Sequence, residues 1–302
     1  APSSTTNTLY AGGVVGSTNG RVENVQTNFN ISASDASYYD VQSLYAGGIC
    51  GKGNIVTNAK SSGKIGLAYA NVQWRIGNQG GIGGIVGRGG NINKAQSDCV
   101  ISVWGKNMTA VGGIVGEGLD CNVDNACFYG SLSIQQDIWY NPSAFLTACS
   151  GIVGRSDGSL SVSNCISAPS SYSVNVSAIY LAPIAGDSQS QSWTGSNNYY
   201  TLPPTASDNL GQVITENKLR TGEPLEGFDS DIWEFKTNEL PSIKNIGVGE
   251  ATSISNIENN YQTDFIINKN KITFPNIKAK TRIEIYNLDG QKEYSGYINS
   301  NE

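Results

Sequence analysis

Gly112-Gly113-Ile114-Val115-Gly116, followed by Val123-Asp124-Asn125-Ala126, is one copy of a pair of phrases that recurs along the first two-thirds of the chain. The first phrase returns as Gly13-Val14-Val15-Gly16, Gly48-Ile49-Cys50-Gly51, Gly84-Ile85-Val86-Gly87 and Gly151-Ile152-Val153-Gly154. Successive leading glycines, Gly113 included, lie 35, 36, 29 and 38 residues apart. Another glycine precedes four of the five copies (Gly12, Gly47, Gly83 and Gly112), and Ser150 stands in the fifth. Pro183-Ile184-Ala185-Gly186 is a degenerate sixth copy. The second phrase returns as Val22-Glu23-Asn24-Val25, Val56-Thr57-Asn58-Ala59, Ile92-Asn93-Lys94-Ala95 and Val162-Ser163-Asn164-Cys165, with Asn third in four of the five. An alternating run follows each: residues 28–32, 64–68, 100–104, 131–135 and 171–176.

Alternation is the period of a half-buried strand, and no helical period is convincing in residues 1–200. Each unit has too little apolar surface to fold alone, but stacked units can pair equivalent strands and close one interior. The expected fold is all-β: a right-handed parallel β-solenoid (β-helix) of about five to six coils, with the hand that parallel β connections adopt. The Val and Ile residues inside each Gly-x-x-Gly should form an inward ladder. The repeat glycines Gly13, Gly16, Gly48, Gly51, Gly84, Gly87, Gly113, Gly116, Gly151 and Gly154 should mark sharp turns at positive φ or close backbone approaches. The Asn residues should pair their amides from coil to coil. The unequal spacing assigns insertions to surface loops.

A Gly-Gly-Ile-Val-Gly phrase phased with Val-x-Asn-Ala resembles the GLUG repeat of bacterial surface proteins, adhesin-like chains of the Bacteroides type. The resemblance covers residues 9 to about 200. It implies an exported, cell-surface β-solenoid without catalysis. The zinc peptidases that some such repeats accompany need His ligands, and the chain has no histidine.

Composition breaks near residue 200. Residues 1–200 hold 9 basic groups, 10 acidic groups and 29 glycines, against 10, 15 and 7 in residues 201–302. Leu202-Pro203-Pro204-Thr205 reads as a linker or turn there. This divides the chain into a solenoid (1–205), a cap or linker (206–250) and a small β module (251–302). Ile232-Trp233-Glu234-Phe235 leading to Leu240-Pro241 is similar to the closing segment of GLUG-type proteins, and an open solenoid end needs covering. Farther on, Asp264–Ile267, Lys271–Phe274 and Arg282–Tyr286 read as strands, and Asp289-Gly290 as a hairpin turn. Ile285-Tyr286-Asn287-Leu288-Asp289-Gly290-Gln291 resembles the C-terminal sorting modules of type IX secretion, which are small β-sandwiches. The chain stops at Ser300-Asn301-Glu302, without the basic end of those modules.

The same composition excludes chemistry. Without histidine there is no Ser-His-Asp triad, Cys-His dyad or His zinc pair. A net charge of −6 with 15% charged residues argues against nucleic acid. No apolar run reaches the ~18 residues of a membrane helix. The opening Ala1-Pro2-Ser3-Ser4 is no signal peptide, so the chain reads as mature or excised, or as cytoplasmic. Cys50, Cys99, Cys121, Cys127, Cys149 and Cys165 permit three disulfides, with Cys121 and Cys127 the plausible local pair. Buried thiols are the preferred reading, because Cys50 replaces an inward Val and Cys165 a small residue. No cofactor and no metal site is expected.

Aromatic residues recur late in the repeats. Tyr39, Trp74, Trp104, Trp139 and Tyr180 are the candidate ligand-binding set, a face that would stack on sugar rings. Carboxylate pairs for a glycosidase would be Asp120 with Asp124, Asp35 with Asp40, or Asp229 with Asp231, but none occupies a repeated column. Asp229 and Asp231 alone fall short of a calcium site. The expected function is a non-enzymatic adhesin or ligand-binding protein, extracellular or at the cell surface, whose partner is a glycan or a host protein. The alternatives are a polysaccharide lyase or glycoside hydrolase on a β-helix, and a purely structural spacer.

Overall fold

A computed structural model describes residues 7–34, 41–68, 80–105, 110–136, 147–175, 179–188, 193–201 and 210–247, and the backbone of four strands beyond residue 250. Residues 1–250 form one compact unit and residues 251–302 a second. The first unit is a parallel β-solenoid. One sheet stacks β1 (Asn7–Gly12), β3 (Val41–Gly47), β5 (Gly80–Gly83), β7 (Ala110–Gly112), β10 (Thr147–Ser150) and β14 (Ile179–Ala182) in that order. The other stacks β2 (Val15–Ser34), β4 (Cys50–Ala68), β6 (Val86–Gly105) and then β8 (Val115–Phe128) with β9 (Ser131–Gln136). It continues through shorter pieces: β11 (Val153–Ser163), β12 (Ile166–Ser167), β13 (Ser171–Asn175), β15 (Ala185–Ser188), β16 (Trp193–Ser196), β17 (Tyr199–Tyr200) and β18 (Gln212–Val213). About four turns are regular, fewer than the five to six coils expected, because the long strand breaks up toward the end.

Each Gly-Gly phrase is the tight turn from a short strand into a long one, and pairing continues through it. Ile85 N donates to Ile114 O at 3.0 Å, and Ile114 N to Ile152 O at 3.1 Å. Both apolar positions of the turn are inward. Ile49, Ile85, Ile114, Ile152 and Ile184 are buried, as is the adjoining column Cys50, Val86, Val115, Val153 and Ala185. Burying an aliphatic side chain contributes about 1.5–3 kcal/mol, and stacking repeats the gain in every turn.

The repeat glycines serve close approach; none of them has positive φ. A Cβ on Gly84 would lie 2.0 Å from Ser97 Oγ, and one on Gly113 2.3 Å from Phe128 Cγ. These neighbours belong to one in-register column: Thr27, Ser61, Ser97, Phe128 and Ser167. The column crosses over the turns and supplies their carbonyls with donors. Thr27 Oγ1 donates to Gly48 O at 3.0 Å and Ser61 Oγ to Gly84 O at 2.6 Å.

Positive φ falls on the second phrase instead. Asn24, Asn58, Lys94, Asn125, Asn164 and Asn197 all have φ between 53° and 56°. Among residues with a side chain, Asn visits this left-handed region most readily, so a bend there selects it. The expected amide pairing is present as well: Asn58 Nδ2 donates to Asn24 Oδ1 at 2.7 Å and Asn197 Nδ2 to Asn164 Oδ1 at 3.1 Å. Asp124 joins this line, accepting from Asn164 Nδ2 at 2.9 Å and Ser163 Oγ at 2.8 Å.

Residues 210–247 belong to the solenoid unit. Leu210 enters the main core, and β18 pairs with β17 at the C-terminal end. Beyond them come a short helix α1 (Glu216–Leu219) and a two-strand pairing of β19 (Trp233–Glu234) with β20 (Ser242–Ile243). This part lies along the side of the rod rather than over its end. The outward column that begins Gln26, Lys60, Gln96 continues as Cys127, Ile166, Tyr199. The apolar half packs against Leu219, Leu225, Phe228, Trp233 and Ile243. Trp233 Nε1 donates to Asn125 Oδ1 at 2.9 Å, Tyr129 Oη to Pro241 O at 2.6 Å, and Gly247 N to Asn58 Oδ1 at 3.2 Å. The segment therefore runs as a strap from the sixth rung, at Tyr199, back to the second, at Asn58. In the second unit, β21 (Ile266–Asn268) pairs with β22 (Lys271–Thr273) and β23 (Thr281–Tyr286) with β24 (Lys292–Ile298), both antiparallel.

Candidate functional site

In-register stacking makes every rung-to-rung connection cross the same gap. On one side stand the ends of the long strands: Ser34, Ala68, Trp104, Gln135 and Asn175 share a column. On the other, Tyr10, Tyr45, Gly81, Ala110, Ala148 and Tyr180 share a column of the short-strand sheet. Segments 35–40, 69–79, 106–109, 137–146 and 176–178 join the two sides. Tyr39, Trp74 and Trp139 fall in these segments, outside the described residues. Trp104 and Tyr180 lie on opposite sides of the gap, in different sheets, so these two do not share one ladder.

The tyrosine column adds two residues that the search for late aromatics passes over. Tyr10 and Tyr45 stand three residues before Gly13 and Gly48, and Tyr180 holds the same offset before Pro183. That constant offset is the signal that would have found them. The rings of Tyr10 and Tyr45 stack, with centroids 5.5 Å apart and planes at 16°. Past Tyr45 the column shrinks to Gly81, where an added Cβ would lie 3.1 Å from Glu117 Cβ. Glu117 belongs to a third register column, Ser17, Lys52, Arg88, Glu117, Arg155 and Asp187. The Arg88 guanidinium sits 5.1 Å from the Tyr45 ring centre, and its Nη1 donates to Tyr45 Oη at 3.2 Å. Its Nη2 lies 3.8 Å from Glu117 Oε1.

Glu117 is 2% exposed. Burial pushes its carboxyl above the ordinary carboxylate value, and Arg88 pulls the other way. Burial raises Tyr45 as well, with the Glu117 charge adding to it. An isolated buried carboxylate would be strongly destabilising, so the register that places Arg88 and Arg155 on either side of it is a condition of folding.

The candidate carboxylates serve local structure. Asp120 Oδ1 accepts from Ser159 N at 3.0 Å and Ser159 Oγ at 3.1 Å, and Asp124 holds the Asn line. Asp229 Oδ1 accepts from Asp231 N at 2.8 Å, closing a local turn. Asp35 and Asp40 lie outside the described residues. Among the described residues, no group of three or more Cys, Asp or Glu side chains is placed to hold a metal ion. No helix among them is long and apolar enough to cross a membrane.

All six cysteines are buried free thiols, and Cys121 does not pair with Cys127. Burial pushes the thiols of Cys50, Cys121 and Cys149 up to about 12. Cys99 Sγ donates to Ser61 Oγ at 3.2 Å. No family model, curated protein or solved structure matches the chain.

Proposed function

We propose that the chain is a non-enzymatic, exported binding protein, a rigid rod that presents its connecting segments and their aromatic residues to a glycan or a host protein. One observation carries this reading. The connections differ in length and hold Tyr39, Trp74 and Trp139, yet all join the same two stacked columns, whereas the described strands pair in register from rung to rung apart from local bulges. Variable sequence gathered on a fixed scaffold is how binding surfaces are commonly built. The engagement of Asp120 and Asp124 in rung-to-rung bonds weighs against the lyase or hydrolase alternative. The GLUG resemblance supports surface exposure, and the resemblance of residues 285–291 to a sorting module supports export. We take the coil as right-handed, the usual hand of parallel crossovers.

The test is a screen of the full chain on arrayed glycans and matrix proteins, with Trp74→Ala/Trp104→Ala as the comparison. Binding that drops at least about tenfold, or 1.4 kcal/mol, in the double variant supports the reading. A blank screen leaves the spacer. Release of reducing sugar that disappears in Asp120→Asn or Asp124→Asn makes the protein an enzyme.

A further inference from the structure

Asn19-Gly20, the only Asn-Gly pair in the chain, lies where the β2–β4 ladder skips. Thr18 pairs with Gly53 and Arg21 with Ile55, so Asn19 and Gly20 together stand opposite Asn54. This is a bulge, in which the extra residue is released from the ladder. Gly20 N donates to Thr18 Oγ1 at 3.0 Å, within its own strand. The nearest atom to a Cβ on Gly20 would be that same Thr18 Oγ1, at 3.3 Å, so the second rung does not crowd this residue. The ladder skips at the same corner in later rungs, after Gly89 and after Asp157. Exposure belongs to the corner and not to one end of the rod, because Asn54, Asn91, Asp120 and Asp157 are exposed as Asn19 is.

The backbone nitrogen that follows an Asn attacks its side chain when it can reach Cγ. A Cβ on the following residue hinders that approach, and a nitrogen held in a ladder cannot make it. Glycine removes the first obstacle and the bulge the second. Asparagines at the positive-φ bends meet neither condition. Asn24, Asn58, Asn125 and Asn164 precede Val25, Ala59, Ala126 and Cys165. Their side chains are also engaged: Asn58 with Asn24 at 2.7 Å, Asn125 with Asp124 at 2.8 Å and Asn164 with Asp124 at 2.9 Å. Asn54 and Asn91 share the exposed corner but precede the branched Ile55 and Ile92.

We propose that Asn19 is a modification site, at which the folded chain deamidates through a succinimide without an enzyme. Gly20 N bonds to Asn19 Cγ, the Cγ–Nδ2 bond breaks, and the side-chain nitrogen leaves as ammonia with the proton from Gly20 N. Water then opens the ring. Addition at Cγ gives aspartate in an ordinary backbone. Addition at the main-chain carbonyl carbon gives isoaspartate, which lengthens the main chain by one methylene. Both products make the corner one charge more negative. Later rungs already carry carboxylates there, and Asp120 Oδ1 accepts from Ser159 N at 3.0 Å and Ser159 Oγ at 3.1 Å. The added methylene falls in the bulge, outside the ladder. The chain thus gains a negative charge with age, two residues from the exposed Arg21–Glu23 ion pair.

The experiment holds the full chain in mildly alkaline buffer and follows the conversion over time by peptide mass and isoaspartate detection. Asn19→Asp is the standard for the aspartate product in charge separation. Asn19 should convert at least about tenfold faster than Asn54 or Asn91. Its rate should rise with pH, because the attacking nitrogen must lose its proton. Gly20→Ala should melt with the wild type, since its Cβ has room, and should slow the conversion by about tenfold or more, about 1.4 kcal/mol of barrier. The urea-unfolded chain is the reference for an unconstrained corner. A native rate within about tenfold of that reference supports release by the bulge. A lower native rate shows that the ladder holds the corner, and overturns the inference. Conversion at Asn19 no faster than at Asn54 overturns it too, as does an unchanged rate in Gly20→Ala.

Discussion

Gly113→Ala puts the role of the repeat glycines to a direct test. The new methyl carbon would lie 2.1 Å from Gly151 O, 2.3 Å from Phe128 Cγ and 2.5 Å from Phe128 Cδ1. Each contact is about 1 Å or more inside the optimal separation, and close-packed surroundings cannot open that far without displacing backbone. Overpacking of this kind costs about 1–3 kcal/mol. Opening the turn also loosens Gly113 N to Ser150 O and Ile114 N to Ile152 O, both 3.1 Å. At about 1 kcal/mol for each bond, the total is about 3–5 kcal/mol, a large share of a usual stability of about 5–15 kcal/mol. At about 2–4 °C per kcal/mol, the melting temperature should fall by about 6–20 °C. Thermal melts and urea titrations of the full chain measure this. The control is Gly20→Ala, on the surface with Thr18 Oγ1 at 3.3 Å, which should stay within about 0.5 kcal/mol. Phe128→Ala removes the ring that the methyl strikes, so the double variant should cost less than the sum of the singles. A Gly113→Ala protein that melts with the control, or a strictly additive cycle, refutes the close-approach argument.

Asn164→Ala loses both the tolerance of φ 54° and two amide bonds, and should cost about 2–4 kcal/mol; Asn164→Gly keeps the bend and should cost about half as much. Equal losses in urea titrations would show that φ is not what selects Asn. Glu117 faces Arg88, Arg155, Asp157 and Tyr45, and its native pKa is raised, so the native state binds the extra proton. Its contribution is present below the ordinary carboxylate pKa of about 4.3 and is lost as pH rises through the raised native value. Urea midpoints from acidic to neutral pH should show wild type losing ground to Glu117→Gln as pH rises; a constant or opposite difference refutes this. The six thiols should resist a thiol reagent at mildly alkaline pH in the native protein and react as six after denaturation. Fewer than six after denaturation without reductant would reveal a disulfide.

The stacking was legible because solenoid contacts are nearest-neighbour, so each appears as a column in the repeat. The Gly-Gly turn, the inward Ile49–Ile184 ladder and the Asn line all follow from aligning the copies. Their physical causes were less legible. Glycine and Asn each suit turns, and only backbone geometry separates close approach at Gly113 from positive φ at Asn125. The strap was hidden for another reason. Its footprint is a column that changes character, from Gln26, Lys60 and Gln96 to Cys127, Ile166 and Tyr199, and a consensus averages that change away. The same averaging hides the Arg88–Glu117–Arg155 alternation, in which each charge makes sense only beside the next rung. Of the candidate aromatics, Trp104 and Tyr180 proved to stand on opposite sides of the gap, which sequence spacing alone does not reveal.

The strap bears on how the chain reaches its native state. Rungs that touch only their neighbours can form in the order in which they leave the ribosome, each templated by the one before. Trp233 and Gly247 seek partners formed long before them, Asn125 and Asn58, across 108 and 189 residues of chain. Such distant closures are slow to find and come late. Once made, they tie the fraying of early rungs to that of later ones, so an array that would otherwise peel from an end acquires a reason to unfold as a whole.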